Sequence, residues 1–184
     1  PAYFFNMQSF RYTQDTIDAE LKKSKEDFIL HFRSAYTDDY PPAWMIAEIL
    51  PLGLLCRIYT NLKDNVIKKR VAQHFGLQVP VFSSWIVILA GLRNMCCHHC
   101  RTWNSELATI TTEPRRTKYG WIDSSRTDKR RMYYRICMIR YFLYTVSPNN
   151  SFKDKLKTLL AAYPNIDTAA MGFPSDWESE DIWK

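Results

Sequence analysis

The chain has 184 residues, 46% hydrophobic and 24% charged, which suits a single soluble globular domain with a sizeable core. The formal charge is +6, and it all resides in one segment, Arg115 to Arg135, which sets eight Lys or Arg against two Asp. The longest unbroken apolar run, Trp85 to Leu92, is too short to span a bilayer, and "PAYFFNMQSF" lacks a secretory pattern. A start at Pro1 reads as a fragment or a processed product. Five Cys, three of them crowded together, make a poor disulfide framework and point to a reducing, cytoplasmic setting.

Only five Gly and apolar residues at helical spacing predict an all-α fold. Thr13 to Phe32 reads as one amphipathic helix, with Ile17, Leu21, Phe28 and Phe32 on one face. "TDDYPP" ends it. "PPAWMIAEILPLGLLCRIYTNL" is a second helical region, kinked or divided at Pro51, which suits the first turn of the second piece. "KDNVIKKRVAQHFGL" is a short helix stopped by Gly76, with Arg70 and His74 toward solvent. The next helix takes Ser83 or Ser84 as its cap and runs to about Trp103. An irregular basic loop over 105–125 follows. "RTDKRRMYYRICMIRYFLYTVSP" is a helix closing near Pro148, and "SFKDKLKTLLAAYP" a shorter one capped by Asn150 or Ser151. The acidic, aromatic tail, 172–184, docks by Phe173 and Trp177 or stays loose.

Within this order, "LRNMCCHHCRTWN", Leu92 to Asn104, holds the densest chemistry. On a helical wheel with Arg93 at zero, Cys97 lies near 40°, Arg101 near 80°, Asn94 near 100° and His98 near 140°, each roughly. These form a polar arc. Trp85, Ile88, Leu89, Leu92, Met95, Cys96, His99, Cys100 and Trp103 fall on the opposite, core-facing side. His98 thus joins the polar constellation and His99 points toward the core.

Five consecutive donors on a helix diverge and cannot converge on one ion. Cys96, His99 and Cys100 share a face but lack the fourth ligand a structural zinc site needs, so no metal is expected. Cys96 and Cys100 read instead as small buried side chains. Chemistry on phosphate fits better: Arg is a permanent, forked cation, His moves protons near neutrality, and Asn orients either group. A hydrogen-bonded surface pair is the simpler reading of the same residues. In the basic segment, Arg115, Arg116, Lys118, Arg126, Lys129, Arg130, Arg131 and Arg135 can meet phosphates, while Tyr119, Trp121, Tyr133 and Tyr134 can stack on bases. A solvated basic loop is its simpler reading.

The motif resembles the signature of the Abi-like (AbiD/AbiF-type) abortive-infection proteins, close to LRN-x-C-A-H-H-x-R-x-W-N. "KSKEDFILHFRSAY", "IKKRVAQHFGL" and "AAMGFPSDW" resemble further family segments, in family order and over most of the chain. Cys97 stands where the family has Ala, and Ser105 where a basic residue is common. The chain resembles the family's C-terminal part, without its usual N-terminal portion. The resemblance implies a HEPN-type helical bundle, whose active members carry an Arg followed four to six residues later by His. Arg93 and His98 match it, with Asn94 as the usual polar neighbour and His99 and Arg101 as further candidates.

It also implies a metal-independent endoribonuclease of phage defence or toxin type. That enzyme needs no cofactor and acts as a homodimer that joins two Arg93–His98 sets. An antitoxin or a non-coding RNA would restrain it, and no membrane is involved. A non-catalytic RNA-binding or regulatory module is the alternative, and a scaffold with a structural Arg–His pair is a third.

Overall fold

The computed structural model of the chain describes residues 3–184, and among them it holds eight α-helices, three single turns of 3-10 helix and no sheet. The fold is all-α, as the spacing of apolar residues predicts. Two compact units divide the chain, 1–68 and 69–184.

The first unit holds α1 (Met7–Lys23), α2 (Asp27–Ala35), α3 (Ala43–Ile49), α4 (Leu52–Asn61) and the start of α5 (Asn65–His74). The single helix expected over 13–32 is two. Ser24 leaves helical geometry at φ −63 and ψ 131, and its hydroxyl accepts from the Glu26 N–H at 3.3 Å. Such local side-chain bonding competes with helix propagation. The break lets Ile17 and Leu21 fold against Phe28, Ile29 and Phe32, with Met45 and Ile49 of α3 completing the cluster. Tertiary burial of this kind is what sustains helices too short to persist alone. Pro51 does divide the next region, but as the capping residue before α4 rather than inside its first turn. Asn61 ties the two ends of the unit together. Its side chain accepts from the Asn6 N–H at 2.8 Å and donates to the Asn6 carbonyl at 3.0 Å.

The second unit contains the end of α5, then α6 (Val79–Cys97), α7 (Met132–Val146), α8 (Phe152–Ala162) and the tail. Gly76 ends α5 at φ 67, as expected. α6 starts before Ser83 and Ser84, with Pro80 in its first turn. Ser84 instead accepts the Thr112 N–H at 3.1 Å, and the Trp85 indole donates to the Thr112 carbonyl at 3.0 Å. Trp85 is fully buried on α6, and Tyr133, Tyr134, Cys137, Met138 and Tyr141 are fully buried on α7. Trp121 packs 4.7 Å from Trp85, and Tyr141 meets it edge-on at 5.5 Å. The tail docks through Phe173 as expected, and more deeply through Ile182 and Trp183, both fully buried. The Trp183 indole donates to the Tyr133 hydroxyl at 3.0 Å.

The whole of α6 extends beyond the apolar run Trp85–Leu92. It is the one described helix long and apolar enough to cross a membrane, by length and composition alone. Here it packs on α7.

Candidate functional site at the end of α6

The run of Cys and His is a helix terminus, not a helix. α6 stops at Cys97 rather than Trp103. His98 is the cap, and His99 adopts the left-handed conformation at φ 54. The His99 N–H donates back to the Cys96 carbonyl at 3.1 Å, and the Cys100 N–H to the Met95 carbonyl at 2.9 Å. This pair of reversed bonds is the Schellman arrangement, which satisfies carbonyls the helix would leave open and turns the chain away. Asn104 is also left-handed, at φ 45, so the segment from His98 to Asn104 is a compact irregular turn.

The wheel therefore fails from the last turn of α6 onward. Cys96, His99, Cys100 and Trp103, expected on the core face, are all exposed. His99 does not point into the core, and the three cysteines are free thiols open to solvent rather than buried. No group of three or more His, Cys, Asp or Glu among the described residues could hold a metal ion.

Arg93, Asn94 and His98 share the exposed end of α6. Asn94 connects the other two. Its side-chain carbonyl accepts from Arg93 Nη1 at 3.3 Å, and its backbone carbonyl accepts from the His98 N–H at 3.0 Å. No hydrogen bond joins Arg93 to His98 among the described residues, so one chain presents the guanidinium and the imidazole as separate groups. Arg101 is exposed on the turn. Advancing roughly 100° per residue places Val87, Gly91, Asn94 and His98 on one stripe of α6. All four are exposed, and a Cβ on Gly91 would meet nothing within 4 Å. Beside the stripe lies a groove of about 270 Å³ lined by Val87, Gly91, Met95 and Leu107.

The basic segment is less free than its sequence suggests. Arg135 is fully buried, with its guanidinium donating to the Thr109 carbonyl, so it cannot contact RNA. Burial pushes its pKa down from the ordinary arginine value. Arg131 bonds Asn104 at 3.3 Å and pairs with Glu106 at 3.3 Å and with Asp128. These contacts clamp the end of the motif. Arg126 pairs with Asp176, and Lys129 with Glu113 at 2.5 Å, whose carboxyl that hydrogen bond holds below the usual range. Arg115, Arg116, Lys118 and Arg130 are exposed and make no ion pair among the described residues. Of the aromatics proposed to stack on bases, two belong to the core and two are half-buried. Tyr133 and Tyr134 are fully buried, desolvation raising the Tyr134 phenol to about 12, while Tyr119 and Trp121 pack on Tyr141.

Sequence reasoning missed Lys69, an ordinary helix-surface lysine by pattern, which lines a cavity with Arg116 and Lys118. Only the fold brings it there.

The model of the family described as Abi-like protein matches residues 3–104, more than half of the chain. The match covers the whole constellation from Arg93 to Asn104 and stops before the basic segment. No curated protein and no solved structure matches the chain. On the family match, the chain belongs to the Abi-like protein family.

Proposed function

We propose that this Abi-like protein acts in abortive infection, a defence against phage, as a metal-independent HEPN-type endoribonuclease. The observation that carries the reading is the exposed end of α6, where Arg93, Asn94 and His98 lie together and the Asn94 side chain accepts from the Arg93 guanidinium. Arg93 would bind the scissile phosphate and stabilise the charge that develops on it. One imidazole would take the proton from the RNA 2′-hydroxyl as its oxygen bonds to phosphorus. A second, protonated imidazole would give its proton to the 5′-oxygen as the P–O5′ bond breaks, leaving a 2′,3′-cyclic phosphate.

The family resemblance implies a site shared by two chains, each of which would supply one Arg93–His98 set. The open stripe of Val87, Gly91, Asn94 and His98 supports a homodimer in which α6 crosses its own copy. Gly91 would allow close backbone approach in such a crossing. Such a protein would work in the cytoplasm. An antitoxin or a non-coding RNA would hold it inactive until infection.

The test is incubation of wild type, Arg93→Ala and His98→Ala with single-stranded RNA in EDTA. Wild type should yield cyclic-phosphate ends, and each variant should lose at least a hundredfold in rate. RNA binding by wild type without cleavage would replace this reading with a non-catalytic RNA-binding module.

A further inference from the structure

A second site lies at the opposite end of α6. We infer that the cleft between the last turns of α5 and the loop 116–118 binds phosphate groups of single-stranded RNA. The inference rests on RNA being the ligand of this protein, and not on the chemistry at His98.

The cleft has a volume of about 690 Å³. Its lining includes three cations, Lys69, Arg116 and Lys118, and no carboxylate. All three are exposed, and none takes part in an ion pair among the described residues. Their neighbours Arg126, Lys129 and Arg131 are each matched by a carboxylate. The molecule thus neutralises much of its basic segment and leaves a positive charge of three concentrated in one concavity, where walls of low dielectric strengthen the field. Lys69 and Gln73 lie four apart on α5 and face the cleft together.

The backbone that carries Arg116 and Lys118 is held in place. The Gln78 side-chain amide donates to the Arg116 carbonyl at 3.1 Å. The Lys118 N–H donates to the Tyr141 hydroxyl at 3.0 Å, anchoring the loop to the core. Gly76 completes the seat. A Cβ there would collide with the Lys118 Cβ and stand 3.1 Å from the Lys118 nitrogen, so only glycine lets the loop approach α5. The Lys118 ammonium rests 5.0 Å from the Tyr119 ring centre, a contact that leaves its charge available to an anion. The first turn of α6, at Val79 and Pro80, closes the floor and adds a field of the same sign.

A 2′-O-methylated single-stranded RNA cannot be cut through the 2′-hydroxyl, so its affinity, read by fluorescence anisotropy, reports binding alone. A failure of the nuclease reading leaves this measurement intact. Changing Lys69→Gln, Arg116→Gln and Lys118→Gln together should weaken binding at least tenfold. The same change should lower the slope of log affinity against log salt by about 2, as expected for three lost contacts to a single strand. Arg126→Gln with Lys129→Gln removes two charges, both from matched pairs, and should change affinity less than twofold.

If the triple variant does not fold by circular dichroism, Lys69→Gln alone, on an open helix face, should still cost severalfold. Unchanged RNA affinity in the folded triple variant, or in Lys69→Gln when it stands in for it, would overturn the inference. So would an equal loss in the control pair, or absence of RNA binding by wild type. If ATP binds wild type and not the triple variant while RNA affinity is unchanged, the cleft serves a free nucleotide and the RNA assignment falls.

Discussion

His99 holds a left-handed backbone that glycine adopts freely and that costs most other residues roughly 1–2 kcal/mol. The Schellman turn demands this conformation whatever side chain stands there. His99→Gly should therefore leave the turn intact and raise stability by roughly 0.5 kcal/mol, after allowing for the added freedom of glycine in the unfolded chain. Thermal melting checks the stability, and the RNA assay separates the two imidazoles. On the proposed reading, cleavage survives His99→Gly and is lost in His98→Ala. Loss of cleavage in His99→Gly with an unchanged melting curve would move the catalytic role to His99. Arginines sort in a similar way. Arg93 is exposed and hydrogen-bonds Asn94, whereas Arg131 and Arg135 hold loop oxygens and carboxylates that fix the chain after the motif. The residue type is the same, and the surroundings decide whether it can reach a ligand.

α6 is the element on which most depends. One side buries Trp85, Ile88 and Leu92 against the second unit's core, and the stripe from Val87 to His98 stays open. Val87 is 48% exposed, an uncovered branched side chain in the middle of that stripe. If the protein self-associates through it, Val87→Glu should convert a particle of twice the chain mass to a monomer in light scattering. RNA cleavage should fall with it, while helical content stays unchanged. A wild-type particle of one chain mass would count against the shared site.

The helix itself was legible in the sequence because its apolar residues recur at helical spacing. Its ends were not. The start depends on Pro80 and on Ser84 being engaged by the Thr112 N–H, a partner 28 positions away. The stop depends on a turn that His99 enters without the glycine that usually signals one. Extending the wheel past Cys97 placed Cys100 and Trp103 in a core they never enter. Arg93, Asn94 and His98 were legible as one constellation because all lie at or before the cap. The docked tail was half legible. Phe173 and Trp177 were expected to dock it if it did not stay loose; Phe173 is buried and Trp177 half-buried, while Ile182 and Trp183 gained their burial only from tertiary packing against α7.

At the scale of the second unit, one buried acid sets an unusual pH response. Glu180 is buried and accepts from the Tyr133 hydroxyl at 3.2 Å, and desolvation raises its pKa above the usual carboxylate value. A raised folded-state pKa means that protonation favours the folded state. The stabilisation is complete below the unfolded-state value and is lost as pH rises through the folded one. Glu180→Gln keeps an acceptor for Tyr133 without the charge. It should melt at a higher temperature than wild type at pH 7, with the gap narrowing toward pH 4. A constant gap across that range would assign the effect to packing instead.

The length of α6 carries a last consequence. Nineteen residues at about 1.5 Å each give a rigid rod of roughly 28 Å. One tip of this rod borders the Lys69–Arg116–Lys118 cleft, and the other carries Arg93 and His98. On the proposed reading the rod is a ruler. A strand gripped at one tip is cut at a distance measured off along the other, so fragments of preferred size would emerge even from a substrate of uniform sequence.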